Sequence, residues 1–268
     1  MRTLGIVGPG SGTLADRLVR RLEGRVALVR GEAGGATDGG ATDGGVAARR
    51  ERAATTYELG PEGWRARGEA TTVDEVLDRL APDHDYALVL DRPEARIAQV
   101  ATEGAEGSDD AHLVVDPDGD LDPAIDRIEA VEGHETLESL VARVKESPRA
   151  DRAGAIATFT GRVRAKDAED DAPTEYLEFE KYEGVAERRM RELEADLEGR
   201  EGVLDVVMHH RTGVIPDGED IVFVVVLAGH RREAFRTVED GIDRLKEEVP
   251  IFKKEVTAEE TFWVHERD

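Results

Sequence analysis

Lysine is rare enough in this chain that each one invites a question. Only six of the 36 basic residues are lysines: Lys145, Lys166, Lys181, Lys246, Lys253 and Lys254. Three of them crowd into nine residues near the carboxy terminus. A lysine set among other cations in a partly desolvated place loses preference for its ammonium form, because burial and like charge both oppose it. Such an amine serves as a nucleophile or proton donor. Four cationic features fall at the ends of expected elements: Arg162 with Arg164, His230 with Arg231 and Arg232, Lys246, and Lys253 with Lys254. In a chain this acidic, gathered cations suggest an anionic ligand. The same residues also have a plain structural reading, since lysines near a helix end complement its dipole and arginines pair with neighbouring carboxylates. His209 and His210 are adjacent rather than spaced as metal ligands, which favours a structural role. No cluster of histidines and acids suggests a metal.

The elements that must position these residues can be read from periodicity. A helix over 135–145 puts Leu137, Leu140, Val141 and Val144 on one face and stops at Ser147 and Pro148. A strand over 153–163 follows, then an acidic loop. A strand over 174–181 alternates Tyr176, Glu178 and Glu180 with Leu177 and Phe179, and a helix runs over 185–197. The β-branched runs at 203–209 and 221–227 read as strands, the second (IVFVVVL) apolar enough to be central and buried on both faces. A helix over 231–248 ends before Pro250, and the rest is extended. His230 and Arg231 thus sit where a strand gives way to a helix amino terminus, a place suited to an anion.

The first half alternates strands at 3–7, 25–29, 55–59 and 86–90 with helices near 14–22 and 73–80, which favours an α/β layer. Between its first strand and helix stands Gly8-Pro9-Gly10-Ser11-Gly12-Thr13, where a phosphate-binding loop belongs, and Gly8, Gly10, Gly12 and Thr13 are the candidate nucleotide contacts. The lysine of a Walker loop is missing, and none occurs before Lys145. Nucleotide hydrolysis is therefore not expected, and a tight turn without ligand is the competing reading. The repeat GGATDGGATDGG over 34–45 reads as a disordered loop. The expected organisation is a first domain over 1–118, an acidic linker over 119–132 and a second domain over 133–268.

The chain of 268 residues carries 36 basic and 60 acidic side chains, a net charge of −24, with 39% apolar residues. That is enough apolar content for real cores and too much negative charge for nucleic acid or an anionic membrane as main partner. With no cysteine, disulfides, thiolate metal sites and cysteine nucleophiles are excluded, so sulfur chemistry must borrow its sulfur. No signal segment or long apolar stretch is legible, which points to a cytoplasmic protein, and the acidic, arginine-rich composition suggests a high-salt one.

Several blocks in the second half occur in an order that is more specific than any single motif: GAIATFTGRVR (154–164), LEFEKYEGVAE (177–187), HHRTGVIPDGEDIVFVVVLAGHRREAF (209–235), LKEEVPIFKKE (245–255) and a closing WVHER. In these blocks the region 133–268 resembles the MoaE family, the catalytic (large) subunits of molybdopterin synthase. The resemblance implies an α/β hammerhead fold with an added α+β subdomain, and a homodimer flanked by small ubiquitin-like sulfur carriers. It also implies transfer of sulfur from a carrier's C-terminal Gly-Gly thiocarboxylate to cyclic pyranopterin monophosphate, with no cofactor. By motif position it implies Lys246 and Lys253 as the catalytic lysines and Arg164, His230 and Arg231 as substrate contacts. Arg267 is implied to reach across the dimer. The region 1–118 is more distantly similar to the MobB family of adaptor proteins, with DYALVLDRPEARIAQV (85–100) keeping the look of a later strand and the P-loop degenerate. Two other functions suit the same features: a nucleotide-binding adaptor for cofactor guanylation or insertion, and a non-catalytic receptor of ubiquitin-like proteins.

Overall fold

The computed structural model describes residues 1–31, 54–105, 113–166, 172–182 and 184–257, and the backbone of 261–264. The repeat at 34–45 and Arg267 lie outside the described residues. The chain divides into two compact units, Met1–His134 and Glu135–Asp268.

In the first unit the apolar runs become a parallel sheet. Strands β1 (Arg2–Val7), β2 (Val26–Arg30), β5 (Tyr86–Leu90), β6 (Gln99–Thr102) and β7 (Val114–Val115) are ordered β2-β5-β1-β6-β7, with every pairing parallel. Helices α1 (Ser11–Arg21), α2 (Val73–Leu80) and α3 (Asp122–Glu129) cover it, as parallel sheets require. Leu14 and Leu18 of α1 and Ala124 and Ile128 of α3 close over Leu4, Ile6, Leu88 and Val100, all fully buried. The acidic stretch expected to link the domains is therefore part of this unit. Pro123 opens α3, whose two apolar side chains outweigh the surrounding aspartates, and Arg17 binds the carbonyls of Pro117 and Gly119, each at 2.7 Å. The expected strand at 55–59 is one arm of a hairpin, β3 (Thr55–Gly60) with β4 (Gly63–Gly68).

The second unit is α+β. Strands β8 (Ala155–Arg162), β10 (Val203–His210) and β12 (Asp220–Ala228) form an antiparallel sheet with β12 in the middle. Alternation along β12 serves two cores. Val222, Val224 and Val226 meet helices α5 (Val185–Glu198) and α6 (Arg231–Glu248), while Phe223, Val225 and Leu227 meet α4 (Leu137–Lys145) on the other face. Thr136 and Ser139 form a reciprocal cap at the start of α4. The edge of β10 is covered by α5: Glu194 accepts the Met208 amide at 2.7 Å and Glu198 the Val206 amide at 3.3 Å. A second sheet, ordered β11-β9-β13-β14, joins β11 (Gly213–Pro216), β9 (Thr174–Lys181), β13 (Ile251–Thr257) and β14 (Thr261–Val264). Val163, Leu177, Phe179 and Ile215 form its small core, with Ile221 and Ile251 packed against them.

A cationic candidate site in the second unit

The lysine and arginine candidates are positioned by how α6 returns along the central sheet. β12 runs from Asp220, beside Arg162, to Ala228, beside Ala155. His230 and Arg231 then begin α6, which packs back along β8 and β12 with Gly241 against Val224 and Met208. Its last turn, holding Lys246, has thereby come back to the Asp220 end of the sheet. Arg164 is at this same end: the neighbouring Val163 amide donates to the Glu219 carbonyl at 2.9 Å, and the Gly218 amide returns a bond of 2.9 Å to Val163.

Lys253 reaches the same neighbourhood through the second sheet. It stands opposite Phe179 on β9 and shares a sheet face with it, and Phe179 belongs to the core that contains Val163. The Thr174 amide bonds the Ala165 carbonyl at 2.8 Å, tying the start of β9 to the residue after Arg164. Lys254 faces the other way, its ammonium 2.8 Å from Glu178. Lys246 and Arg164 are exposed and Lys253 half-buried. Arg164, Lys246 and Lys253 thus all lie toward the end of the unit where β12 begins, two ammonium groups and one guanidinium of fixed charge.

His230 and Arg231 are elsewhere in the same chain. They lie 15 to 16 residues before Lys246 along one uninterrupted helix, which at 1.5 Å per residue is about 23 Å. A single protomer therefore does not bring the His-Arg pair to the lysines. Both are exposed at the amino terminus of α6, His230 being its cap position. His209 and His210 pack within the fold: the ring of His210 meets Phe179 edge-on at 4.9 Å and His209 stacks with Phe223 at 6.4 Å. Among the described residues no group of His, Cys, Asp or Glu forms a metal cage.

Sequence reasoning gave Lys181 no role, yet the fold encloses it. Its side chain is 8% exposed and its ammonium lies 2.7 Å from Glu187 on α5. The signal was available: Lys181 continues the apolar phase of β9, two residues beyond Phe179 and four beyond Leu177.

In the first unit the glycine loop spans β1 and α1 as expected, but a carboxylate already uses it. Asp91, at the end of β5, accepts the Gly8 amide at 3.3 Å and the Ser11 hydroxyl at 3.0 Å. The Thr102 hydroxyl donates to the Pro9 carbonyl at 2.7 Å. Gly8 and Gly10 have φ of 107° and 86°, so both are needed by the turn itself. At Gly12 an added Cβ would meet nothing within 4 Å.

The fold defines a two-unit protein in which an α/β unit with a parallel sheet precedes an α+β unit with two antiparallel sheets. The MoaE protein family matches residues 133–248. A probable molybdopterin synthase of Haloferax volcanii is 54% identical over 272 residues, covering 100% of both chains. The molybdopterin synthase catalytic subunit of Yersinia pestis is 39% identical over 118 residues, covering 44% of this chain and 77% of that one. Among solved structures, molybdopterin synthase from Staphylococcus aureus is 32% identical, with a TM-score of 0.41 over 43% of this chain and 83% of that one. The chain belongs to the MoaE family of molybdopterin synthases.

Proposed function

We propose that this chain is a molybdopterin synthase catalytic subunit, transferring sulfur from the C-terminal thiocarboxylate of a small ubiquitin-like carrier to cyclic pyranopterin monophosphate. The observation that carries this reading is the 54% identity over the whole chain to a probable molybdopterin synthase, and the placement of Lys246, Lys253 and Arg164 toward the same end of the second unit supports it. Arg164 supplies a fixed positive charge with paired donors for the substrate phosphate. Lys246 meets the carrier's thioacid, and Lys253 exchanges protons at the reacting centre. Because the chain holds no cysteine, the sulfur comes from the carrier. The test mixes purified protein with thiocarboxylated carrier and the pyranopterin and measures dithiolene formation. Replacing a general acid–base group costs roughly 10²–10⁴-fold. Lys246→Ala and Lys253→Ala are expected to lose at least the lower figure, and undiminished synthesis by either overturns its assignment.

The placement of His230 and Arg231 about 23 Å from Lys246 supports a homodimer in which one copy lends its His-Arg pair to the lysines of the other. Arg267 is proposed to cross the same interface. Complementation tests this directly: Lys246→Ala and Arg231→Ala proteins, each inactive alone, recover activity when co-refolded, since one of the two sites in each mixed dimer is intact. Continued inactivity refutes the shared site.

For the first unit we propose a degenerate MobB-like adaptor that binds no nucleotide. The parallel sheet with a glycine loop at the end of β1 supports the likeness. The Asp91 carboxylate on the Gly8 amide supports the loss of phosphate binding, because it places a negative charge where a phosphate would sit. GTP titration by calorimetry is expected to show no heat of binding.

A further inference from the structure

Lys246 owes its place to the last turn of α6, and that turn is tied to α5 by charges the reading above does not use. The two helices pack side by side, and among the described residues three ion pairs join α6 to α5 or to the residue just past its end. Arg200 reaches Asp240 at 2.5 Å, Arg244 reaches Asp196 at 3.2 Å, and Arg189 reaches Glu248. Asp240, Arg244 and Glu248 are spaced by four residues and so form one stripe along α6. Glu248 is the end of that stripe. Arg244 binds it from within the helix, Nε lying 2.6 Å from Oε1, while Arg189 takes Oε2 and also holds Glu192 at 2.9 Å. The hydrogen bond from Arg244 outweighs burial and, with the charges of both arginines, holds the Glu248 carboxyl below its ordinary value. A single exposed ion pair contributes little, but a carboxylate shared by two arginines and only 22% exposed is a junction. Its position points the same way. Glu248 stands in the last turn of α6, where the carbonyl ends of the peptide dipoles repel a negative charge, so by itself it weakens the helix it ends. Only the arginines make it favourable there, and one of them comes from α5.

We propose that Glu248, with Arg189 and Arg244, is a positioning group for Lys246: the junction fixes the last turn of α6 against α5, and with it the point from which the Lys246 side chain extends. Its catalytic meaning rests on the sulfur-transfer reading. The action passes through the backbone, because at about 100° per residue Lys246 leaves α6 about 160–200° around from Arg244 and Glu248. The turn is also where the chain changes direction. The Val249 amide closes the helix on the Leu245 carbonyl at 3.1 Å, and the chain then passes Pro250 into β13. A last turn released from α5 frays from this end, and a displacement of about 1 Å at a reacting group can cost as much as 10²-fold in rate. The Arg200–Asp240 pair supplies an internal control. It joins the same part of the fold two turns earlier along α6 and adds to the packing without reaching the last turn.

Glu248→Gln removes the charge and keeps the shape. In the full-length protein, amide hydrogen exchange over 245–249 is expected to become about tenfold faster while exchange in the middle of α6 stays as it is. In the synthesis assay kcat is expected to fall about tenfold and KM for the pyranopterin to stay within about twofold, since Arg164 is untouched. Arg189→Met, made on α5, should do the same. The double variant should be no worse than either single one, because both remove one coupled contact. Asp240→Asn breaks the earlier pair and should leave both readings unchanged, whereas a general loss of stability would appear in this variant too. With Lys246→Ala inactive, an unchanged kcat in Glu248→Gln, a loss confined to KM, or an equal fall in Asp240→Asn overturns the proposal. If Glu248→Gln does not fold, Arg189→Met set against Asp240→Asn decides by the same criteria. Exchange is read without turnover, so faster exchange in Glu248→Gln beside full synthesis by Lys246→Ala would defeat the sulfur-transfer role of Lys246 and leave the tie between the helices standing. Unmoved exchange with an inactive Lys246→Ala would do the reverse.

Discussion

Replacing Glu194 by glutamine should make the carboxy-terminal unit more stable above neutral pH and leave it nearly unchanged in mild acid. Glu194 lies one turn before Glu198 on α5, where both accept amides from the edge strand β10. Burial pushes the Glu194 carboxyl up to about 7; the Met208 amide pulls it down, and the nearby Glu198 charge raises it further. The unfolded chain titrates near the ordinary value of 4.5. The folded state therefore binds this proton more tightly than the unfolded one. Its stabilising contribution is complete below about pH 4.5 and is lost as pH rises through about 7. A displacement of that size corresponds to at most about 3 kcal/mol, reduced to about 1–2 kcal/mol because the side chain is partly solvated. Glutamine keeps an oxygen for the Met208 amide and never ionises. Calorimetric unfolding of the full chain at pH 5 and pH 8, at constant salt, should show the transition of this unit moving up by a few degrees in Glu194→Gln at pH 8 only. An equal loss of stability at both pH values would refute the argument, since it would mean that the carboxylate is net favourable where it stands.

Other expectations concern the glycine loop and the core. Gly8→Ala should destabilise the first unit by about 2 kcal/mol or more, since φ is 107° and a Cβ would lie 2.6 Å from that of Ala105. Gly12→Ala should be neutral or stabilising by up to about 1 kcal/mol, as the site is open and helical; both variants should keep full sulfur transfer, and chemical denaturation with the synthesis assay checks the pair. Leu193→Ala, at a position 1% exposed between α5 and the central sheet, should cost about 2–5 kcal/mol by urea unfolding.

Much of the second unit was legible because its signals are local. The run IVFVVVL could only be satisfied between two cores, and it became the middle strand, with Val224 and Val225 buried on opposite faces. Pro250 ended α6 near where a proline must, and adjacent rather than spaced histidines became packed side chains. Less was legible where an element is short or its polar residues mislead. β6, β7 and β11 have two to four residues each, too few for periodicity to register. The helix at 122–129 was hidden by aspartates whose buried neighbours are only Ala124 and Ile128.

Composition and motif settled which groups this protein has for its chemistry: scarce lysines, no thiol, and arginines set among acids. They did not settle which of those groups meet. Lys253 and Lys254 are identical in type and adjacent, and only strand register, with its two-residue period, sends one beside Phe179 and the other to Glu178. Likewise His230 caps a helix and Lys246 lies in its last turn, so α6 holds them at opposite ends while carrying Lys246 back toward the end of the sheet where β12 begins. Residue chemistry is carried by single side chains. Proximity between them depends on pairing and packing among segments far apart along the chain, which only the folded structure decides.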